Sequence, residues 1–237
     1  MKSLNFKTLL MVILACFTMA AWDTSDEDDS SSPNTNQNWD DNNDGSSSGT
    51  QTISSNIESA TTWKDWVAYP SKNDYVIECA AIDVNAELTI KPGVKVQMPK
   101  NATIFVMGQG ALNAQGTKDK PIILIAKVPT KGYWRGISVN SPSTENKLND
   151  VMFKYGGSAK HWCDGQSVVW VSDKNNGNLT MKNCEVHHCP DWGLTVNQSS
   201  GATITPSKEA DLESQNNFHD HGMASGPNCS DCDINLK

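Results

Sequence analysis

Histidine and cysteine side chains are concentrated in the second half of this 237-residue chain. All five histidines and five of the seven cysteines follow residue 160. Imidazole nitrogens and thiolates bind zinc and similar borderline metals, whereas in an oxidising compartment cysteines pair with one another. The sequence therefore gives no reason to expect a resident cofactor, but it leaves open a metal site with four candidate ligands: His161, His187, His219 and His221.

Two tryptophans of the same region lie beside aspartates in polar loops. One loop reads His161-Trp162-Cys163-Asp164, and the other reads Cys189-Pro190-Asp191-Trp192. An aromatic face next to a carboxylate is suited to stacking on a sugar ring and bonding its hydroxyls. The predicted glycan contacts are therefore Trp162, Trp192, Asp164 and Asp191, and the alternative is that both tryptophans pad the edge of the fold.

The elements that must position these side chains are short β-strands. Between Tyr75 and Ile137 six short apolar segments alternate with Gly, Pro and Asn turns, and no helical period is present. In the segment from Leu88 to Val96, apolar and polar residues alternate, and Pro92-Gly93 divides it into two strands of different direction. Short strands at such even spacing predict a solenoid, with a globular β-sandwich as the structural alternative.

The second half repeats at a longer interval. Phe153 and Val186 are 33 residues apart in similar segments, and Val186 and Phe218 are 32 apart. We interpret this as one coil of three short strands plus an insertion, which predicts about five coils from Tyr75 onward. Asp150, Asn183 and Gln215 then occupy one stacked position, where a side-chain ladder is expected.

The repeat also guides the assignment of the cysteines. Six cysteines follow Cys16, an even number that is compatible with up to three disulfides. The alignment places Cys189 one coil above the loop that contains Cys163, so these two form the preferred pair. Cys229 and Cys232 could close on each other, and Cys79 and Cys184 lie in strand-like contexts typical of buried thiols.

Three sequence blocks occur in a fixed order. They read Leu-Thr-Ile-x-Pro-Gly-Val-x-Val from Leu88, Gly-Ala-Leu-x-Ala-x-Gly-Thr-x-x-x-Pro-Ile from Gly110, and Trp-x-Gly-Ile from Trp134. This combination resembles the pectate-lyase-like β-helix proteins of bacterial surfaces and secretions. The resemblance implies an all-β chain folded as a single-stranded right-handed parallel β-helix, and it implies no particular function.

Catalysis on such a β-helix has known requirements. Lyases of this fold need a strong base and cations that neutralise a uronate, and hydrolases need nearby carboxylates. The single arginine, Arg135, lies in the Trp-x-Gly-Ile block, which is a structural position in the resembled group. No cluster of acids recurs on one strand face, so we assign no catalytic residue. A small polysaccharide-active lyase or hydrolase remains the alternative.

The N-terminus has the pattern of an export signal. Lys2 and Lys7 precede the short apolar segment 8–15, which is much shorter than the roughly 20 residues of a membrane-spanning helix. Ile13-Leu14-Ala15-Cys16 resembles the lipobox of bacterial lipoproteins, which implies a signal peptide 1–16 and lipidation of Cys16. The alternative is an ordinary signal peptide cut near Ala20 or Ala21.

Residues 17–62 are rich in Ser, Asn and acidic side chains and contain no Lys or Arg. Such a segment buries too little apolar area to fold, so we predict a disordered tether. From Lys64 onward there are 18 acidic and 17 basic residues, so the net charge of −8 belongs to the tether. A basic nucleic-acid-binding stripe is absent from the sequence.

The combined prediction is a lipid-anchored protein of the bacterial outer membrane or cell surface. A β-helix domain at 63–237, with a short N-terminal cap and a polar C-terminal tail, is held away from the membrane. Its expected work is non-catalytic adhesion or binding of a surface or host polysaccharide. A structural surface protein without a ligand is a third class that the sequence allows.

Overall fold

A computed structural model describes residues 49–67, 72–159, 166–172, 174–221 and 234–236. By its internal contacts the chain divides into two units, 1–44 and 45–237, and every described residue lies in the second. Within these described ranges no helix is long and apolar enough to cross a membrane.

The described ranges contain nineteen strands, one α-helix and a short 3-10 turn at Gln198–Ser200. In chain order they are β1 (Gln51–Ile53), β2 (Thr61–Trp63), β3 (Tyr75–Ile77), β4 (Ala81–Val84), β5 (Glu87–Ile90), β6 (Lys95–Met98), β7 (Thr103–Met107), β8 (Ala111–Gln115), β9 (Ile122–Ala126), β10 (Gly136–Asn140), β11 (Lys147–Asn149), β12 (Val151–Lys154), β13 (Ser167–Val171), β14 (Asn178–Lys182), β15 (Glu185–His187), β16 (Trp192–Val196), β17 (Thr203–Thr205), α1 (Glu209–Gln215), β18 (Asn217–His219) and β19 (Ile234–Leu236).

These strands form three parallel sheets that the chain visits in turn. Sheet A has the order β1-β3-β6-β9-β12-β15-β18, sheet B has β19-β16-β13-β10-β7-β4, and sheet C has β17-β14-β11-β8-β5-β2. Each passage through sheets A, B and C is one coil of a parallel β-helix. Five coils are complete, from β3–β5 to β15–β17, and a partial coil stands at each end. The predicted all-β solenoid of about five coils is confirmed.

The core is a set of stacked apolar columns inside the coils. In sheet A the register pairs Phe153 with Val186 and Val186 with Phe218, as the repeat spacing predicts. Phe153 and Val186 are fully buried, whereas Phe218 in the last coil is only partly buried. Each fully buried side chain of this kind contributes about 1.5–3 kcal/mol, and this sum holds the coils together.

The corner between sheets C and A is a single residue in the left-handed conformation. Asp150 has φ of 49° and Asn183 has φ of 52°, in residue types that tolerate this region. The predicted ladder exists in a changed form, because Asn183 Nδ2 donates to Asn149 Oδ1 at 2.9 Å. Gln215 joins the same corner through its backbone, whose carbonyl accepts from the Asn183 N–H at 2.7 Å.

The β-helix begins earlier than the predicted boundary at residue 63. Strand β1 pairs with β3, and Ile57 is buried and bridges to Val84, so this part of the predicted tether is ordered. A few apolar residues are enough here because the first complete coil already offers an unpaired sheet edge. The predicted cap is strand β2 followed by an irregular turn, in which Trp63 stacks on Tyr75 at 4.9 Å.

The other end of the stack also differs from the expected polar tail. Strand β19 pairs with β16 and extends sheet B, and its Ile234 is buried. Helix α1 lies between β17 and β18 and buries Leu212. Asn216, directly after the helix, accepts the Cys184 N–H on its side-chain oxygen at 3.0 Å, which fixes the helix to the last complete coil.

Candidate functional site

The turns that lead from sheet A to sheet B stack into a ridge, which we call the A–B corner. Lys154, His187 and His219 are paired in register at the ends of their strands. The residues that follow them, Tyr155, His188 and Asp220, have φ of 66°, 58° and 58°. One left-handed residue per coil therefore turns the chain here and places three chemically different side chains above one another.

Backbone hydrogen bonds hold this ridge together. The Tyr133 N–H donates to the Tyr155 carbonyl at 2.8 Å, and the Tyr155 N–H donates to the His187 carbonyl at 3.2 Å. Tyr155 also packs against His188, with ring centroids 4.9 Å apart. A left-handed tyrosine is unfavourable by itself, and these contacts compensate for that conformation.

The last two coils of this corner contain a group of five titratable residues, Glu185, His187, His188, His219 and Asp220, here called the histidine cluster. His187 Nδ1 lies 2.5 Å from His188 Nδ1. His219 Nδ1 bonds Asp220 Oδ2 at 2.8 Å, and its Nε2 bonds Glu185 Oε1 at 3.1 Å. The His187 and His219 rings stack in parallel, 5.0 Å apart, because their strands are neighbours.

His187 is the buried member of the cluster. Its side chain is only 8% exposed, and its Nε2 is buried without a hydrogen-bond partner. Burial lowers the pKa of His187 to about 4, and the nearby His188 and Lys154 add to the effect. His187 is therefore a neutral imidazole at neutral pH, with one ring nitrogen protonated and a lone pair on the other.

His219 and Asp220 shift each other in opposite directions. Burial alone would lower the pKa of His219, but its hydrogen bonds to Asp220 and Glu185 outweigh burial and raise it. The bond from His219 lowers the pKa of Asp220. His219 thus bridges two carboxylates and orients both of them.

The structure brings together two of the four predicted metal ligands. His187 and His219 lie in the cluster, and His161 lies outside the described residues. His221 is close in sequence, but its Nε2 is 3.0 Å from the Val186 carbonyl oxygen, so the ring faces the backbone.

The sequence did not predict three members of the cluster: His188, Asp220 and Glu185. His188 and Asp220 directly follow His187 and His219, which the strand register pairs.

The described cysteines include two free thiols. Cys184 is buried, and its Sγ donates to the Lys182 carbonyl at 3.2 Å. Burial raises the pKa of Cys184 to about 12, which makes the thiol unreactive in the folded state. Cys79 is half-buried. Cys163, Cys229 and Cys232 lie outside the described residues, so the Cys163–Cys189 pairing stays a prediction.

The predicted sugar contacts are described in part. Trp192 is half-buried at the start of β16, and Asp191 Oδ2 accepts the Gln166 N–H at 3.2 Å. The turn containing them lies against earlier coils, because a Cβ on Gly157 would come within 3.1 Å of Pro190. Trp162 and Asp164 lie outside the described residues.

Two residues of the third sequence block have structural roles. Trp134 is fully buried, and its Nε1 donates to the Lys154 carbonyl at 2.9 Å. Its side chain therefore fills the interior of the coil behind the A–B corner. Arg135 joins the corner through its backbone: its N–H donates to the Ala102 carbonyl, and its own carbonyl accepts from Gly157. This is the structural position that the sequence predicts for the block.

Comparison with known protein families supports the same fold. Residues 56–167 match the family model described as a pectate-lyase like beta helix domain. The three parallel sheets confirm the predicted parallel β-helix, and this match shows that 56–167 are similar to pectate-lyase-like domains. No curated protein and no solved structure matches the chain. The family match ends before Glu185, so the histidine cluster lies beyond the part of the β-helix that the family model describes.

Proposed function

We propose that this protein is a non-catalytic, surface-displayed β-helix that binds glycans along its A–B corner. The observation that carries the proposal is a row of half-buried aromatic side chains on a rigid ridge. Tyr133 and Tyr155 lie on neighbouring coils, and Trp192 follows the turn of the next coil.

The chemistry of this ridge fits sugar binding. Tyrosine and tryptophan offer an apolar face for a pyranose ring and a polar atom for its hydroxyls. Asp191 and Asp220 add carboxylate acceptors on the same corner, and Asp220 is among the more exposed groups there. The backbone ladder fixes these side chains beforehand, so binding costs little ordering entropy.

The carboxylates of the corner favour binding over hydrolysis. A glycoside hydrolase needs one carboxyl group whose pKa is raised so that it can donate a proton. The two acids of the histidine cluster, Glu185 and Asp220, both bond His219, and this contact lowers the pKa of Asp220. Such a carboxylate stays ionised and is suited to accept hydrogen bonds or a cation.

Glycan-array binding by the full chain tests the proposal. We expect Trp192→Ala and Tyr133→Ala each to weaken binding of the captured glycan at least about tenfold, because each removes a stacking surface. Trp66→Ala is the matched control, since Trp66 is 38% exposed on the cap at the opposite end of the stack. Its binding should equal that of the unchanged protein.

Two results would contradict this proposal. One is that no glycan is retained by the unchanged chain. The other is that Trp66→Ala weakens binding as much as Trp192→Ala does. That result would mean that the glycan contacts are not confined to the A–B corner. Thermal unfolding of each variant shows whether a loss of binding reflects a loss of folding.

We also propose that Cys16 carries a lipid that anchors the chain in the bacterial outer membrane, with the β-helix at the cell surface. The lipobox-like segment ending at Cys16 and the acidic, Ser- and Asn-rich segment behind it support this placement. A lipid anchor at Cys16 would leave the A–B corner available to polysaccharides outside the cell.

A further inference from the structure

We propose that His187, His188 and Asp220 bind one divalent metal ion of the borderline class, for which Zn²⁺ is the representative probe. One potential ligand atom from each of the three residues lies within 4.8 Å of the others. The two imidazole Nδ1 atoms are adjacent, and His188 Nδ1 is 3.9 Å from Asp220 Oδ2. The site adjoins the aromatic row proposed for glycans, because the His188 ring packs against Tyr155.

The choice of metal follows from the donor set. Two imidazoles and one carboxylate are ligands typical of zinc and related transition metals, whereas calcium and magnesium prefer sites made of oxygen atoms alone. The side chains of His188 and Asp220 are 36% and 55% exposed, so an ion held here keeps access to water. Such an ion has an open coordination position.

The second ring nitrogen of His187 is placed so that it can orient the residue as a metal ligand. His187 is more than nine-tenths buried, yet its Nε2 has no hydrogen-bond partner. That nitrogen faces the carboxylate of Glu185, with Oε1 at 3.7 Å. If Nδ1 binds a metal ion, Nε2 must carry the proton, and it then points toward a carboxylate. This is the carboxylate–histidine–metal arrangement that orients many metal ligands.

The two adjacent imidazoles need only a small movement to bind one ion. Two neutral imidazoles can share one proton between their Nδ1 atoms, and a metal ion bound to both lone pairs would replace that proton. Tetrahedral zinc with bonds of about 2.0–2.1 Å needs ligand nitrogens about 3.3 Å apart. The partly exposed His188 ring must therefore move by less than about 1 Å.

His219 supports the third ligand. Its Nδ1 bonds Asp220 Oδ2, which holds Asp220 near the metal position. Its Nε2 bonds Glu185 Oε1, which holds that carboxylate near His187 Nε2. The positive charges of Lys131 and Lys154 act on the cluster from neighbouring coils. The negative charges of Glu185 and Asp220 offset these positive charges, so the cluster can bind a cation.

Calorimetric titration of the full 237-residue chain in detergent with ZnCl₂ tests the site. We expect one equivalent of Zn²⁺ whose affinity falls at least about 100-fold in His188→Asn and in Asp220→Asn, since each removes a ligand. Asparagine tolerates the left-handed backbone at both positions, so these variants should fold. Glu185→Gln should lose about 10–100-fold, the usual effect of removing a partner that orients a metal ligand.

The controls are chosen to match charge and exposure. Asp119→Asn and Glu87→Gln remove exposed acids far from the cluster in sequence and should leave the affinity unchanged. Bound Co²⁺ should show a spectrum of nitrogen and oxygen ligands. No zinc binding, unchanged affinity in His188→Asn and Asp220→Asn, or a thiolate-to-cobalt charge-transfer band would each overturn the proposal. If His188→Asn unfolds, Asp220→Asn decides the result, and glycan binding is measured separately.

Discussion

Gly136→Ala should lower the free energy of unfolding by about 4 kcal/mol or more. Gly136 begins β10 with φ of 126°, a region that side-chain-bearing residues rarely adopt. A Cβ there would lie 2.1 Å from the Val168 carbonyl oxygen of the next coil. That oxygen belongs to a central strand of sheet B and cannot move without disturbing the coil. Urea or thermal unfolding, followed by circular dichroism, measures the effect.

Gly108→Ala is the matched control for this prediction. Gly108 also has a positive φ, of 53°, but a Cβ added there would meet open space, with no contact within 4 Å. Its cost should be limited to the backbone conformation, about 1–2 kcal/mol. Equal losses in the two variants would contradict the close approach of coils that the stacked structure requires at Gly136.

The proposed lipidation of Cys16 predicts that Cys16→Ser abolishes lipid attachment completely, because a serine hydroxyl cannot replace the thiol to which the lipid would be attached. The prediction follows from the lipobox-like Ile13-Leu14-Ala15-Cys16 and its position after Lys2 and Lys7. Incorporation of a labelled fatty acid and partition into a detergent phase measure the attachment. Both signals should disappear in the variant.

Cys79→Ser is the control, since Cys79 is a free thiol at the edge of the core of the β-helix. It should keep both the label and the detergent partition. A mature protein that begins after Ala20 or Ala21 would contradict the lipid anchor, as would label retained in Cys16→Ser. In the first case the protein would be exported without a lipid on Cys16, and in the second the lipid would be attached at another residue.

Much of the fold could be predicted because the period of a solenoid is visible in its sequence. Phe153, Val186 and Phe218 face the same core column, and a one-residue error in register would have turned them outward. The boundary at the N-terminus was missed because residues 51–62 are mostly polar. Only Ile53, Ile57 and the following Trp63 attach that segment to the core.

The candidate site was only partly predictable for a related reason. Strand register places His187 beside His219, and the repeat alignment captured that pairing. His188 and Asp220 depend on a left-handed turn, and His221 depends on the path of the chain after that turn. Spacing in a single sequence contains no information on these backbone angles, so it does not determine which side chains converge.

Incubation of the full chain with the glycan it binds best tests the central claim most directly. The measurement follows the bound fraction and the appearance of new chain ends or unsaturated products in the same sample. A non-catalytic binding β-helix predicts saturable binding with no chain cleavage over many hours. Cleavage that is lost in Asp191→Asn would contradict that claim and would make the protein a polysaccharide-active enzyme.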